Sequence, residues 1–211
     1  MTRRRLVVTQ MSMIIVIAFL AFPLEVSAAD TPMAMIQATV QKTLRVLQNS
    51  VYQGATHRQE RLAEVAITIL PHLDTEGLAQ RALGFYWRQL TVNEQQEFVR
   101  LFTALVEHVY GAMIDHYAQD VQVSYDQQRI DGLYAEVDTQ VRDSSVDRPI
   151  SINYFLHQVN GQWLIYDVQI DSVSLVLNYR SQFAHILGTN SYGDLVQRLK
   201  SKLLELGATP S

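Results

Sequence analysis

The spacing of apolar residues changes twice along the chain, and this change constrains the fold more than any other feature. Apolar residues recur every three or four positions up to about residue 120, every second position up to about residue 170, and every three or four positions thereafter. The wider spacing places side chains on one face of a helix, and the alternating spacing places them on one face of a strand. The sequence therefore predicts helices, then an antiparallel sheet with short connections, then helices, which is an α+β domain.

The first half of the chain carries recognisable helix starts. Thr31-Pro32 is typical of a helix beginning, and a short helix is predicted from Asp74 to Gly84. Thr91 and Glu94 have the spacing of a capping box ahead of the longest helix. That helix keeps one face apolar as far as Tyr117, with Phe98, Leu101, Phe102, Leu105, Val109 and Met113 on the stripe.

Four strands are predicted in the middle of the chain. Their inward residues are, in order, Val121, Val123 and Tyr125; Ala135, Val137, Thr139 and Val141; Ile150, Ile152, Tyr154 and Leu156; and alternate residues from Trp163 to Ile170. Asn160-Gly161 separates the last two strands and is typical of a two-residue hairpin turn. Two further helices are predicted to end near Gly188 and Gly207.

The first 28 residues have the layout of a secretory signal peptide. Three consecutive arginines precede an apolar run over residues 13–22, and Val26 and Ala28 place small side chains before a cut at Ala29. A membrane anchor would need about 20 apolar residues. Residues 1–28 are therefore predicted to be removed, which leaves residues 29–211 as a single exported domain, expected in the periplasm.

The charge and the cysteine count exclude several classes of function. Removal of residues 1–28 takes away three arginines and one glutamate, so the formal net charge moves from −4 to −6. An acidic domain is poorly suited to nucleic acid or to anionic lipid surfaces. The chain has no cysteine, so disulfides and thiol chemistry are excluded, and stability must come from packing.

No arrangement of residues in the sequence predicts catalysis, a cofactor or a metal. Glycine-rich phosphate loops and the GxSxG and HExxH motifs are absent. His108 and His116 would share the long helix at about 12 Å of rise, which is too far for one metal ion. Asp167 and Asp171 flank the last strand, where a turn explains them without a catalytic role. No enzyme is therefore predicted.

Aromatic and aliphatic residues are abundant on the predicted inward faces. They could fill an ordinary core, or a curved sheet under helices could enclose a ligand cavity. Periodicity alone leaves both arrangements open.

Two segments resemble the MlaC family, also called the toluene-tolerance auxiliary proteins. One is residues 81–110, RALGFYWRQLTVNEQQEFVRLFTALVEHVY, and the more specific one is residues 166–183, YDVQIDSVSLVLNYRSQF. The final segment SYGDLVQRLKSKL follows in the family's order. Ser172 departs from the pattern, since the family usually has glycine there. This departure affects the expected shape of the local turn and not the resemblance to the family.

The resemblance implies a twisted four-stranded antiparallel sheet wrapped by helices, with an apolar lipid pocket between them. It implies a monomeric periplasmic carrier that shuttles phospholipid between the outer and inner membranes. The implied partners are an outer-membrane lipoprotein complex and an MCE-domain inner-membrane ABC transporter, with phospholipid as cargo and no cofactor. Some relatives sit in hopanoid operons, so a hopanoid-type lipid is an alternative cargo.

With acyl chains held between the sheet and the helices, the residues expected to bind lipid are those on the inward faces. These are Leu101, Leu105, Val109, Met113 and Tyr117 on the long helix, Val137, Val141, Ile150, Ile152 and Tyr154 on the strands, and Tyr179 and Phe183 on the helix after the sheet. Arg180 is expected at the pocket rim or on the surface, either as a surface charge or as a contact to a phosphate or a partner.

Two other interpretations stay open at the level of sequence. The VNGQW hairpin with covering helices also resembles NTF2-like domains, some of which are enzymes, and such a domain would use Asp167 or His157 in its pocket. A domain with a solid core that only scaffolds partners is the third interpretation.

Overall fold

Helices form the first part of the chain, as the spacing predicts. The computed structural model describes residues 31–117, 121–143 and 147–208. The predicted signal peptide and its cleavage site lie outside these residues. Short 3₁₀ turns join the helices, which are α1 (Pro32–Gln48), α2 (Arg58–Ile69), α3 (Thr75–Leu83) and α4 (Val92–Tyr117).

The predicted caps define where these helices begin. The Thr31 side chain accepts a hydrogen bond from the Ala34 N–H at 3.1 Å. At α4 the capping box is reciprocal, because Thr91 N–H donates to the Glu94 carboxylate at 2.8 Å and Glu94 N–H donates to Thr91 Oγ1 at 3.3 Å. Each cap satisfies backbone donors that have no partner within the helix.

The sheet is an antiparallel meander in the order β1-β2-β3-β4-β5. The strands are β1 (Gln122–Asp131), β2 (Tyr134–Arg142), β3 (Ile150–Val159), β4 (Gln162–Ile170) and β5 (Val173–Ser174). The hairpin predicted at Asn160-Gly161 is confirmed, with φ of 51° and 81° at these two residues. Two successive positive values match the right-handed twist of the flanking strands.

The two-residue strand β5 is the addition to the four predicted strands. It follows a tight turn in which Asp171 and Ser172 both have positive φ, at 47° and 68°. Ser172 therefore holds the left-handed conformation for which glycine is suited. The Asp171 carboxylate receives two hydrogen bonds from the Arg148 guanidinium, at 3.1 and 2.8 Å, and these fix the turn to the loop that precedes β3.

The segment that resembles the family signature joins β4 to α5 (Leu175–Leu187). The Asp167 carboxylate accepts hydrogen bonds from Val176 N–H at 3.1 Å and from Ser174 Oγ at 2.5 Å. Ser174 in turn caps α5 through Leu177 N–H at 3.0 Å. The aspartate and serine thus set the direction in which the chain leaves the sheet.

The buried residues form two main cores. The larger core lies among α3, α4, α5 and α6 (Tyr192–Glu205), where the rings of Phe98, Phe102, Tyr179 and Phe183 pack with centroids 5.0–5.6 Å apart. The smaller core joins α1 to the sheet through Ile36, Val137 and Leu156. Within the described ranges, none of the helices has the length and apolar character needed to span a membrane.

Candidate functional site

An apolar cavity of about 280 Å³ lies between the inner face of the sheet and helices α1 and α4. One end reaches Leu78 of α3 and Leu175 at the start of α5. Its other end lies where β1 and β3 begin and β2 and β4 end. The volume is close to the lower end of the range of ligand pockets, about 300 Å³.

The strand side of the cavity follows from the alternation of residues along each strand. Side chains of β1 to β4 that point inward form this wall, namely Val123, Val141, Ile150, Ile152, Tyr154, Ile165, Val168 and Ile170. Ile165 and Val168 share this face although they are three residues apart. The β3–β4 register shifts there, since Phe155 pairs with Asp167 and Leu156 pairs with Ile165. A bulge of this kind re-aims the side chains on either side of it.

Helix α1 forms the opposite wall, which the sequence-based site did not include. Its contribution consists of Ile36, Thr39, Val40, Thr43, Leu44 and Leu47. The Thr39 hydroxyl donates to Met35 O and the Thr43 hydroxyl donates to Thr39 O, each at 2.9 Å. Because these hydroxyls bond to their own helix, both threonines can offer methyl groups to the cavity without leaving a polar group unsatisfied.

Helix α4 lines the cavity with its C-terminal half. Val106, Tyr110, Met113 and Ile114 lie on the lining, at the spacing of one helix face. The N-terminal half of α4 faces elsewhere, because Leu101 and Leu105 are buried in the core with α5 and α6. Each four-residue step turns about 40° around a helix, so Leu101 and Met113 differ in direction by about 120°.

The structure brings together five of the twelve residues expected to bind lipid. Met113, Val141, Ile150, Ile152 and Tyr154 line the cavity. Leu101, Leu105, Val109, Tyr179 and Phe183 pack in or against the helical core, and Val137 lies in the core under α1, all outside the lining. Tyr117 ends α4, and its side chain lies outside the described part of the structure. Contact of any of the twelve with lipid stays a prediction.

Helix α1 carried a signal that could have placed it at the site. Ile36, Val40, Leu44 and Leu47 recur at helical spacing in the sequence. That spacing identifies a face directed inward, but it does not indicate whether protein or empty space lies opposite. Thr39 and Thr43 lie on the same face, but a hydroxyl alone does not predict a lipid contact.

The lining offers almost no ionisable group. Asp143, directly after β2, is the charged residue of the lining within the described ranges, and burial raises the pKa of Tyr154 to about 12. Tyr154 is therefore neutral at physiological pH. Among those same residues, no cluster of His, Cys, Asp or Glu is suitable for holding a metal ion.

The residues that an NTF2-like enzyme would use are engaged away from the cavity. Asp167 holds the start of α5 as described above. His157 Nε2 lies 2.8 Å from Asp74 Oδ2, without the alignment of a hydrogen bond, and neither His157 nor Asp167 belongs to the lining. The two residues predicted for the enzymatic alternative therefore do not border the cavity.

Arg180 lies on the surface and outside the cavity lining. Its Nε donates a hydrogen bond to Arg81 O at 2.7 Å. Arg81 lies in the last turn of α3, where backbone carbonyls have no partner within the helix. Arg180 therefore ties α5 to the end of α3.

Comparison with known proteins gives consistent results. The family described as MlaC protein matches residues 37–201. The intermembrane phospholipid transport system binding protein MlaC of Haemophilus influenzae is 20% identical over 135 residues, which are 63% of this chain and 63% of that protein's length. The toluene tolerance protein ttg2D of Pseudomonas putida is 24% identical over 172 residues, 81% of this chain and 79% of that protein.

The fold is also similar to that of a solved structure. This is a phospholipid-binding protein from Ralstonia solanacearum in complex with a phospholipid, with a TM-score of 0.72 and 23% sequence identity. The similarity covers 83% of this chain and 98% of the other. Because the family match extends over most of the sequence and the fold agrees with it, the chain belongs to the MlaC family.

Proposed function

We propose that this protein is a monomeric periplasmic carrier that binds phospholipid in the cavity between the sheet and α1 and moves it between the outer and inner membranes. The MlaC family consists of lipid-binding transport proteins and not of enzymes. The observation that carries the proposal is the cavity itself, which is apolar along nearly its whole lining and has its threonine hydroxyls bonded to the helix backbone.

The energetics of lipid transfer favour a carrier of this kind. Two acyl chains of about 15 methylenes each would cost roughly 24 kcal/mol to expose to water, at about 0.8 kcal/mol per methylene. A lipid therefore cannot cross an aqueous compartment alone at a useful rate. Transfer from a bilayer to an apolar cavity exchanges one apolar surrounding for another, so loading can be reversible and needs no catalyst.

The proposal extends to export and to partners. Cleavage near Ala28-Ala29 would release the domain into the periplasm. There it would exchange lipid with an outer-membrane lipoprotein complex and with an MCE-domain ABC transporter in the inner membrane, in an Mla-type pathway. The acidic domain favours exchange at protein docking sites over adhesion to anionic bilayers.

Native mass spectrometry of protein purified from the periplasm tests the binding function. We expect adducts in the mass range of a phospholipid that disappear on delipidation without covalent change and return on incubation with phospholipid vesicles. A hopanoid adduct would retain the carrier and change its cargo. Protein that is free of lipid in repeated preparations, and that takes up none after delipidation, would contradict the proposal.

A further inference from the structure

A second, smaller apolar cavity of about 80 Å³ lies in the seam between α2 and α4. It is closed on one side by Leu62, Val65 and Ala66 of α2, and on the other by α4, including Gly111. None of these four residues lines the larger cavity. We call this space the α2–α4 seam.

The seam and the larger cavity share one wall. Ile69, Leu73, Leu78, Val106, Tyr110 and Ile114 line both. Side chains shared in this way form a single layer between the two spaces. Because the same side chains border both spaces, we infer that a change in their rotamers can join the two spaces.

Helix α2 is bonded to α4 at its N-terminal end and contributes two buried residues to the seam. Its N-terminal end is fixed to α4, because Asp115 accepts hydrogen bonds from Arg61 at 2.5 Å and from Arg58 at 3.2 Å. The buried residues of α2 that line the seam are Val65 and Ala66.

Gly111 leaves room on α4 at the same level. A methyl group added there would meet Leu62 at 3.6 Å, an ordinary contact distance. Glycine within a helix costs about 1 kcal/mol relative to alanine, and here it leaves open the space that a side chain would fill.

We propose that the α2–α4 seam is a side branch of the lipid cavity that takes the second acyl chain of a two-chain lipid, while the first chain lies against the sheet. This inference rests on the proposed carrier function, and it places the point at which the two chains separate at Tyr110 and Ile114. The fixed end of α2 would keep the domain closed while the seam widens.

Filling the seam from either side tests the proposal. Gly111→Leu and Ala66→Leu each place a larger side chain in the seam and leave the lining of the main cavity unchanged. Ala112→Leu is the matched control, since it adds similar volume one residue along α4, outside both linings. Delipidated proteins are offered dipalmitoyl phosphatidylethanolamine or the single-chain palmitoyl lysophosphatidylethanolamine, and native mass spectrometry counts the adducts.

We expect the ratio of two-chain to one-chain adducts to fall at least tenfold in both seam variants and to stay at the wild-type value in Ala112→Leu. Folded seam variants that load both lipids as wild type does, or that lose both in parallel, would overturn the seam as a chain site. Wild-type protein that takes up neither lipid would instead overturn the carrier function.

Hydrogen exchange on the wild-type protein gives a second measurement that needs no variant. We expect the hydrogen-exchange rates of the α2 amides to differ at least threefold between protein loaded with the two-chain lipid and protein loaded with the one-chain lipid. Equal exchange along α2 in the two complexes would overturn the proposal.

Discussion

Met113 and Leu101 are three four-residue steps apart on α4, which together turn about 120° around the helix, and their surroundings differ. Met113 lines the cavity, whereas Leu101 is 1% exposed in the helical core. A charge introduced at Met113 can be hydrated when the cavity is empty. A charge introduced at Leu101 would be buried without a partner, at a cost of several kcal/mol.

We therefore expect Met113→Glu to reduce lipid loading severalfold and to lower the free energy of unfolding of the delipidated protein by about 1 kcal/mol or less. Leu101→Glu should destabilise the protein by several kcal/mol or prevent folding. Urea denaturation and native mass spectrometry measure the two effects. Equal destabilisation by the two substitutions would indicate that Met113 borders a solid core.

Ser172 carries an avoidable conformational cost. A left-handed backbone costs a non-glycine residue roughly 1–2 kcal/mol, and glycine loses about 0.5–1 kcal/mol in chain entropy when it replaces another residue. Ser172→Gly should therefore raise stability by about 0.5–1 kcal/mol. The control is Ser181→Gly on the exposed face of α5, which should lower stability by about 0.5 kcal/mol. A loss of stability in both variants would contradict the assigned strain.

At the scale of elements, Asp115 joins α2 to α4. Partial burial by itself would raise the pKa of Asp115, but the hydrogen bonds and positive charge of Arg61 and Arg58 outweigh it and hold the pKa below the ordinary value. A carboxyl whose pKa is lower in the folded state stabilises the protein above the unfolded pKa, which is about 3.9. This stabilisation is lost as the pH falls through the folded value.

Asp115→Asn should accordingly lower the free energy of unfolding by about 1–3 kcal/mol at pH 7, because it weakens hydrogen bonds to charged groups. The difference from wild type should shrink as the pH falls below about 4. Glu205→Gln, which removes an exposed charge paired with Lys202, should change stability by less than about 1 kcal/mol. A difference between wild type and Asp115→Asn that is independent of pH would show that the carboxylate charge is not the cause.

The sequence predicts the elements better than it predicts the site. Helix starts and the Asn160-Gly161 hairpin follow from local chemistry, so they were predictable within a few residues. The bulge around Tyr166 and the short strand β5 depend on pairing between strands, which local spacing does not contain. The site was harder still, because an apolar stripe such as that of α1 looks the same whether it faces side chains or a cavity.

For the whole molecule, the export prediction is independent of the fold. We expect protein isolated from the periplasm to begin at Ala29, because the arginines, the apolar run and the small residues at the cut follow the order of a signal peptide. Intact-mass measurement checks this, with the full-length chain expressed in the cytoplasm as the reference. A species in the membrane fraction that keeps the three arginines would instead identify residues 1–28 as an anchor.

The lining of the larger cavity comes from residues as distant in sequence as Ile36 and Leu175. A chain that stops before α5 lacks Leu175, so its wall is incomplete. Under the proposed carrier function, we therefore expect lipid to enter only after the whole domain has been made and folded. Binding of the first lipid would then be a step separate from folding.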